Sequence, residues 1–285
     1  MQFMVIRKAD ASTEAGEPPS TRAIEDMERF NQALADQGRL GLALGLRPSS
    51  RAVRLGMWPG GESITDGPFA ETKELVAGFT IIEAPSKEEA VALLKRWPAS
   101  DADASGEVVL ELRKTGCPGG CAQVPLAAEG DGGRYVILLR PDAASGRDTI
   151  PPREKLDTLN AFNAAQAAAG VLLAGDGLMS SAHGARVHFK GGRASVMDGP
   201  FAEAKELIAG FWMIRAASMA DAVAWARTLP YPTGPEVEVE IREVMTAADV
   251  CPGLTPEQAR ADHALRAEQL DAALRAQLAA PFAGR

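Results

Sequence analysis

Residues 66–79 read DGPFAETKELVAGF and residues 198–211 read DGPFAEAKELIAGF; the two stretches match at 12 of 14 positions. A phrase of that length written twice points to duplication before it points to chemistry, because a missed period misassigns the whole fold. Sliding the chain by 132 positions extends the match in both directions: Phe3 falls on Tyr135, Asn31 on Asn163, Gly38 on Gly170, Arg54 on Arg186, Gly60 on Gly192 and Pro98 on Pro230. The register holds from about residue 2 to residue 98, after which a small deletion brings ELR at 111–113 onto EIR at 240–242. So long a period denotes two whole domains rather than a solenoid. The length of 285 residues agrees, since one domain takes roughly 100 to 200.

Each copy yields the same order of elements. Residues 2–8, QFMVIRK, and 134–140, RYVILLR, are short apolar runs that predict first strands. Ile24, Met27, Phe30 and Leu34 recur at helical spacing, as do Leu156, Leu159 and Phe162, and Gly38 and Gly170 stand where a helix C-terminal glycine belongs. Strands follow at GLALGL and LLAGDGL, then at 51–58 and 185–190, the latter two running into Gly-Gly hairpin turns. After the DGPF phrase come buried strands, AGFTIIEAP and AGFWMIRAA. Ser86 with Glu89, and Ser218 with Asp221, resemble capping boxes that open second helices, and last strands are expected at 107–113 and 236–243. This is an α+β order of ferredoxin-like type with an extra hairpin. Two helices leave one face of such a sheet uncovered, so a tandem copy supplies a second sheet to pack against it. The expected domains are 1–115 and 133–248, joined by a Gly/Pro-rich linker at 116–132; an extension at 249–285 opens a C-terminal helix at Thr255-Pro256.

Composition narrows the function. Hydrophobic residues make up 46% and charged residues 24%, an ordinary globular balance. A net charge of −8 without a dense Lys/Arg block disfavours nucleic acid. No secretory signal or membrane-spanning stretch is read, so the expectation is a cytoplasmic chain with no membrane partner. No phosphate loop, GxGxxG, HExxH or GxSxG occurs, and Cys117, Cys121 and Cys251 lack the companions of a zinc site, so no cofactor and no metal are expected.

The stretches TDGPFAETKELVAGF and MDGPFAEAKELIAGF, with GRLGLALGL and GVLLAGDGL upstream and LELR or VEIR at the end, resemble the DGPF-type YCII-related family in two tandem copies. The second copy is the more typical, because the acidic residue of AGDGL is missing from LGLALGL. The resemblance implies a dimeric α+β-barrel, here a monomeric pseudo-dimer or a homodimer. Members of the family that the chain resembles are proposed enzymes because related barrels carry a His-Asp pair, and they are frequently encoded beside extracytoplasmic-function sigma factors.

Candidate site residues follow from the doubled phrase. Asp-Gly-Pro is a strong turn former, and such a turn equally serves to present Asp66 and Asp198, with Phe69 and Phe201 beside them, to a cleft between the sheets. Glu71, Lys73, Glu203 and Lys205 form a mixed-charge cluster that reads as a solvated loop or as ligand contacts. His188, in the strand before the second DGPF turn, and Asp176, in AGDGL, have no counterpart in the first copy, so acid/base chemistry would sit in the second, with Asp176 and Asp198 the preferred pair. The leading expectation is a small organic molecule bound between the sheets, with weak acid/base chemistry. The alternative is a non-enzymatic regulatory protein, for example a partner of a sigma factor, docking through the C-terminal helix.

Overall fold

The computed structural model describes residues 1–70, 75–116, 133–140, 148, 150–201 and 208–250. The first copy runs β1 (Gln2–Lys8), α1 (Ala11–Glu14), α2 (Thr21–Ala35), β2 (Leu40–Gly45), β3 (Val53–Trp58), β4 (Gly61–Asp66), β5 (Val76–Glu83), α3 (Lys87–Leu94) and β6 (Glu107–Lys114). The second runs β7 (Gly133–Arg140), α4 (Arg153–Ala168), β8 (Leu172–Gly177), β9 (Ala185–Lys190), β10 (Arg193–Asp198), β11 (Gly210–Ala216), α5 (Met219–Thr228) and β12 (Val237–Glu243), followed by α6 (Ala247–Val250). The α+β class and the duplicated order are as the sequence predicts. Residues 117–132 of the expected linker, the helix expected from Thr255, all three cysteines, and Glu71, Lys73, Glu203 and Lys205 lie outside the described residues. Among the described residues no helix is long and apolar enough to cross a membrane.

Local signals place the helices. Ser20, Ser86 and Ser218 each accept from the backbone N–H three residues on, at 3.2, 3.2 and 3.1 Å, satisfying one of the donors that a helix start leaves open. Gly38 and Gly170 take φ of +63° and +71° where α2 and α4 end, a conformation that a side chain disfavours. Two local features depart from the expected pattern. The short helix α1 is opened by a reciprocal cap between Asp10 and Thr13. The strand expected from residue 51 begins at Val53, because residues Ser49–Arg51 form a 3-10 turn.

The strands form two six-stranded antiparallel sheets, ordered β10-β9-β6-β1-β5-β2 and β4-β3-β12-β7-β11-β8. Each sheet therefore holds four strands of one copy and the hairpin of the other. Hairpin β3-β4 adds to β12 through pairs such as Leu55↔Val239, and β9-β10 adds to β6 through pairs such as Val187↔Leu110. The connection from β2 explains the exchange. Leu46 bridges Val244, and the N–H of Arg47 bonds the carbonyl of Glu243 at 2.9 Å, so the chain leaves β2 alongside the end of β12 and returns as its neighbour.

Alternation along the first strands decides where the core sits. Phe3 and Val5 join a cluster with Leu34 of α2 and Ala90, Val91 and Leu94 of α3, whereas Met4 and Ile6 join one with Val136, Leu138, Phe211 and Met213 of the second copy. Strand β7 repeats the scheme, with Tyr135, Ile137 and Leu139 toward α4 and α5 and Val136 and Leu138 toward the other sheet. Both strands are buried on both faces, which is why they read as continuous apolar runs. The rings of Phe79 and Phe211, one from each sheet, meet at 5.1 Å in the shared cluster. A second bridge, Thr115↔Leu178, joins the sheets on the side opposite Leu46↔Val244.

Candidate functional site

On β6, Val108, Leu110 and Leu112 point toward the helices, so Glu111 and Arg113 point toward the other sheet. Neither is near water, with 0% and 2% of their surface exposed. A buried carboxylate requires partners, and Glu111 has three cations. Its Oε2 accepts from Nε of Arg186 at 3.1 Å and lies 3.5 Å from Nζ of Lys8, while Nη1 of Arg113 stands 3.3 Å from Oε1. The second copy repeats the arrangement on β12. Glu240 Oε2 accepts from Nε of Arg54 at 3.0 Å and lies 3.4 Å from Nη1 of Arg140, and Oε1 accepts from Nη1 of Arg242 at 3.0 Å. Burial works to raise the Glu111 pKa, but the fields of Lys8, Arg113 and Arg186 outweigh it and hold the carboxyl below the usual range.

Each cluster is composite. Lys8, Glu111 and Arg113 come from the first copy, and Arg186 arrives on the exchanged strand β9; Arg140, Glu240 and Arg242 come from the second copy, and Arg54 arrives on β3. The DGPF turns complete them. The guanidinium of Arg54 lies over the Phe69 ring at 3.9 Å, and that of Arg186 over Phe201 at 4.3 Å. Each ring is buried because its own backbone is seated: the N–H of Phe69 donates to Oγ of Ser49 at 3.3 Å, and that of Phe201 to Oγ of Ser181 at 3.1 Å. The peptides Gly67-Pro68 and Gly199-Pro200 are cis. Glu14 of α1 accepts from the N–H and the hydroxyl of Ser49, and its Oε1 lies 3.8 Å from Arg242 Nη2. Asp148 serves the other cluster, accepting from the N–H and the hydroxyl of Ser180, both at 2.6 Å, with His183 3.1 Å away.

Among the described residues three arginines keep an unmatched donor: Nε of Arg113, Nε of Arg242 and Nη2 of Arg54 are buried without a hydrogen-bond partner there. The rest of each Arg113 or Arg242 fork is clamped, with Nη2 donating to the carbonyl of Met179 at 2.6 Å or of Arg47 at 2.5 Å.

The structure separates the residues that sequence groups together. Asp66 pairs opposite Val53 and Asp198 opposite Ala185, both members of the helix-side clusters, so the two carboxylates share that face rather than the inter-sheet one. Both are exposed, and Asp198 pairs with Lys87 of α3 at 2.6 Å. The turn thus sends Phe inward and Asp outward, a correction to the cleft-facing reading of the aspartates. His188 shares the face of Arg186, two residues before it, but lies 3.5 Å from Glu107, not beside an aspartate, in a contact that leaves its Nε2 without a hydrogen bond. Asp176 pairs opposite Phe211 and so lies on the inter-sheet face, on a different sheet from Asp198. The preferred pair of aspartates is not brought together. The cations and glutamates of the two clusters, by contrast, were not singled out from sequence. The available signal was the Glu-x-Arg of ELR and EIR, set among apolar strand residues and repeated in both copies together with Arg54 and Arg186.

Burial pushes the Asp176 carboxyl up to about 6, against hydrogen bonds from the N–H groups of Gly177 and Gly116 and from the side chain of Thr115. The folded pKa lies above the unfolded one, so the fold favours the protonated form. The contribution is fully present below about pH 4 and is lost as pH rises through 6. Asp176→Asn is therefore expected to gain about 1–2 kcal/mol at pH 7.5, discounted for partial exposure, and nothing at pH 4; denaturant melts at the two pH values measure it. An equal effect at both would mean that the carboxyl is not perturbed.

Comparison with known proteins agrees with the duplicated architecture. The family model described as "YCII-related domain" matches twice, over residues 1–111 and 134–247. A curated relative, an uncharacterized protein of Rhizobium meliloti (strain 1021), is 36% identical over 70 residues, which is 25% of this chain; the match spans 56% of that relative's length. With two matches that together take in most of the sequence, the chain belongs to the YCII-related family, as two tandem copies whose exchanged hairpins build two composite charge clusters.

Proposed function

We propose that the chain is a pseudo-dimeric α+β-barrel of two ferredoxin-like copies that binds small organic anions between its sheets, at the Glu111 and Glu240 clusters. The matching orders β6-β1-β5-β2 and β12-β7-β11-β8, with bridges at Leu46↔Val244 and Thr115↔Leu178, support the barrel. One observation carries the ligand reading. Arg54 is fixed by Glu240 on one side and by the Phe69 ring on its face, yet Nη2 is buried with no partner among the described residues. Leaving such a donor unsatisfied costs about 1–3 kcal/mol, and a carboxylate oxygen restores that with a charge-assisted bond. Phe69 and Phe201 then act as platforms that hold the guanidinium planes, and Asp176 is the carboxyl suited to exchange a proton near neutral pH.

Thermal melts with hexanoate and its neutral isostere hexanamide test this. Hexanoate at a hundredfold excess over Kd is expected to raise Tm by roughly 5 °C, hexanamide by none. Arg54→Gln and Arg186→Gln each remove part of the shift, and the double variant removes it. Equal stabilisation by the amide, or a full shift in the double variant, would overturn the reading.

A further inference from the structure

The two clusters match in their charged members and differ in what comes next along the strand. On the inter-sheet face of β6 the row Glu111, Arg113 continues to Thr115, which bridges Leu178; the Thr115 hydroxyl donates to the carbonyl of Gln2 at 3.3 Å, and its side chain stands beside Asp176. On β12 the row Glu240, Arg242 continues to Val244, which bridges Leu46; the residue matching Asp176 is Leu44, and both Val244 and Leu44 pack into the shared apolar cluster. The same junction is thus polar in one place and apolar in the other. Beside each, a clamped arginine nine-tenths or more buried, Arg113 or Arg242, keeps Nε without a partner among the described residues.

We propose that the two clusters take carboxylates of different character. The Glu111 cluster takes one whose far end carries a hydroxyl or another hydrogen-bonding group that reaches Thr115 and Asp176, and the Glu240 cluster takes one with an apolar tail that reaches Leu44 and Val244. The inference rests on the anion reading above. Alternate residues on a strand stand about 7 Å apart, the span of a chain of five or six carbons. A polar end pressed on Leu44 and Val244 loses its hydration without return, and an apolar end pressed on Thr115 and Asp176 strips water from polar atoms without offering a hydrogen bond in its place, so each cluster discriminates against the other's ligand.

Hexanoate and 6-hydroxyhexanoate, titrated calorimetrically into the full chain, read the difference. Arg54→Gln isolates the Glu111 cluster and Arg186→Gln the Glu240 cluster. We expect at least about a tenfold preference for 6-hydroxyhexanoate in the first variant and for hexanoate in the second. Adding Asp176→Leu to Arg54→Gln should erase or reverse the first preference, whereas Asp176→Asn, which keeps polar atoms there, should retain it; circular dichroism confirms that each variant is folded. If both probes bind but with the same selectivity in both backgrounds, or if Asp176→Leu leaves the tenfold preference intact, this inference falls and the anion reading stands. If neither probe binds any variant or the unmodified chain, both fall.

Discussion

Gly199→Ala is expected to destabilise the chain by at least about 3 kcal/mol, lowering Tm by roughly 6–12 °C, and Gly67→Ala is expected to do the same. A Cβ on Gly199 would stand 1.7 Å from the carbonyl oxygen of Ser181, and one on Gly67 would stand 1.7 Å from that of Ser49. Neither obstacle can swing aside, because each is backbone held in place. The 3-10 turn closes through the N–H of Gly184 to the carbonyl of Ser181 at 3.0 Å, and the N–H of Gly199 bonds the carbonyl of Gly184 at 3.2 Å. The relief available is for the DGPF turn to lift away, which withdraws Phe201 from Ser181 and from beneath Arg186. The substitution thus removes stability and one wall of the Glu111 cluster together. Gly60 supplies the control. It has open space around its missing Cβ and only a left-handed φ of +90°, so Gly60→Ala should lose about 1–2 kcal/mol. Thermal melts of the three variants decide the point: a loss below about 1 kcal/mol for Gly199→Ala would mean that the turn slides freely on its seat.

How much of this was legible beforehand depends on which physical rule each feature obeys. Strand β1, helix α2 with its terminal Gly38, and the Ser86 and Ser218 caps are set by local chemistry, and the sequence states them. The repeat placed the second copy by the same route. The exchange of hairpins was not legible, because the alternation Val53, Leu55, Met57 specifies a buried face and says nothing of which β6-like edge will accept it. The same gap hid the site. Whether Asp198 or Phe201 enters the interior turns on register, where one residue reverses every side chain, and that register is fixed by the pairing of β9 with β10 and by the seating of the turn on Ser181. Glu111 and Arg113 look like ordinary polar ends of a strand until Arg186 is brought across from the other copy. Their buried charge is intelligible only in the assembled pair of sheets.

Glu111→Ala is expected to cost about 3–5 kcal/mol at pH 7 and to lower Tm by roughly 6–15 °C, with Glu240→Ala close behind. The loss comes less from the bonds removed than from what is left: Lys8, Arg113 and Arg186 gathered in the interior around a vacated carboxylate position, with Arg113 almost wholly out of water. Even with Glu111 in place, burial holds the Arg113 pKa below its ordinary value, the sign of a cation short of negative charge. A small carboxylate such as formate should therefore recover part of the loss in Glu111→Ala and little in Glu111→Gln, whose amide fills the space. The pH dependence separates charge from packing. The Glu111 pKa is depressed in the fold, so its contribution is present above the unfolded value of about 4.5 and disappears as pH falls through the folded one. The unmodified chain should accordingly lose stability in acid faster than Glu111→Ala, and the gap between them should narrow from pH 7 to pH 3. A gap that stays constant over that range would assign the whole effect to lost packing, and an absence of rescue by formate would remove the case for an anion-accepting cluster at this position.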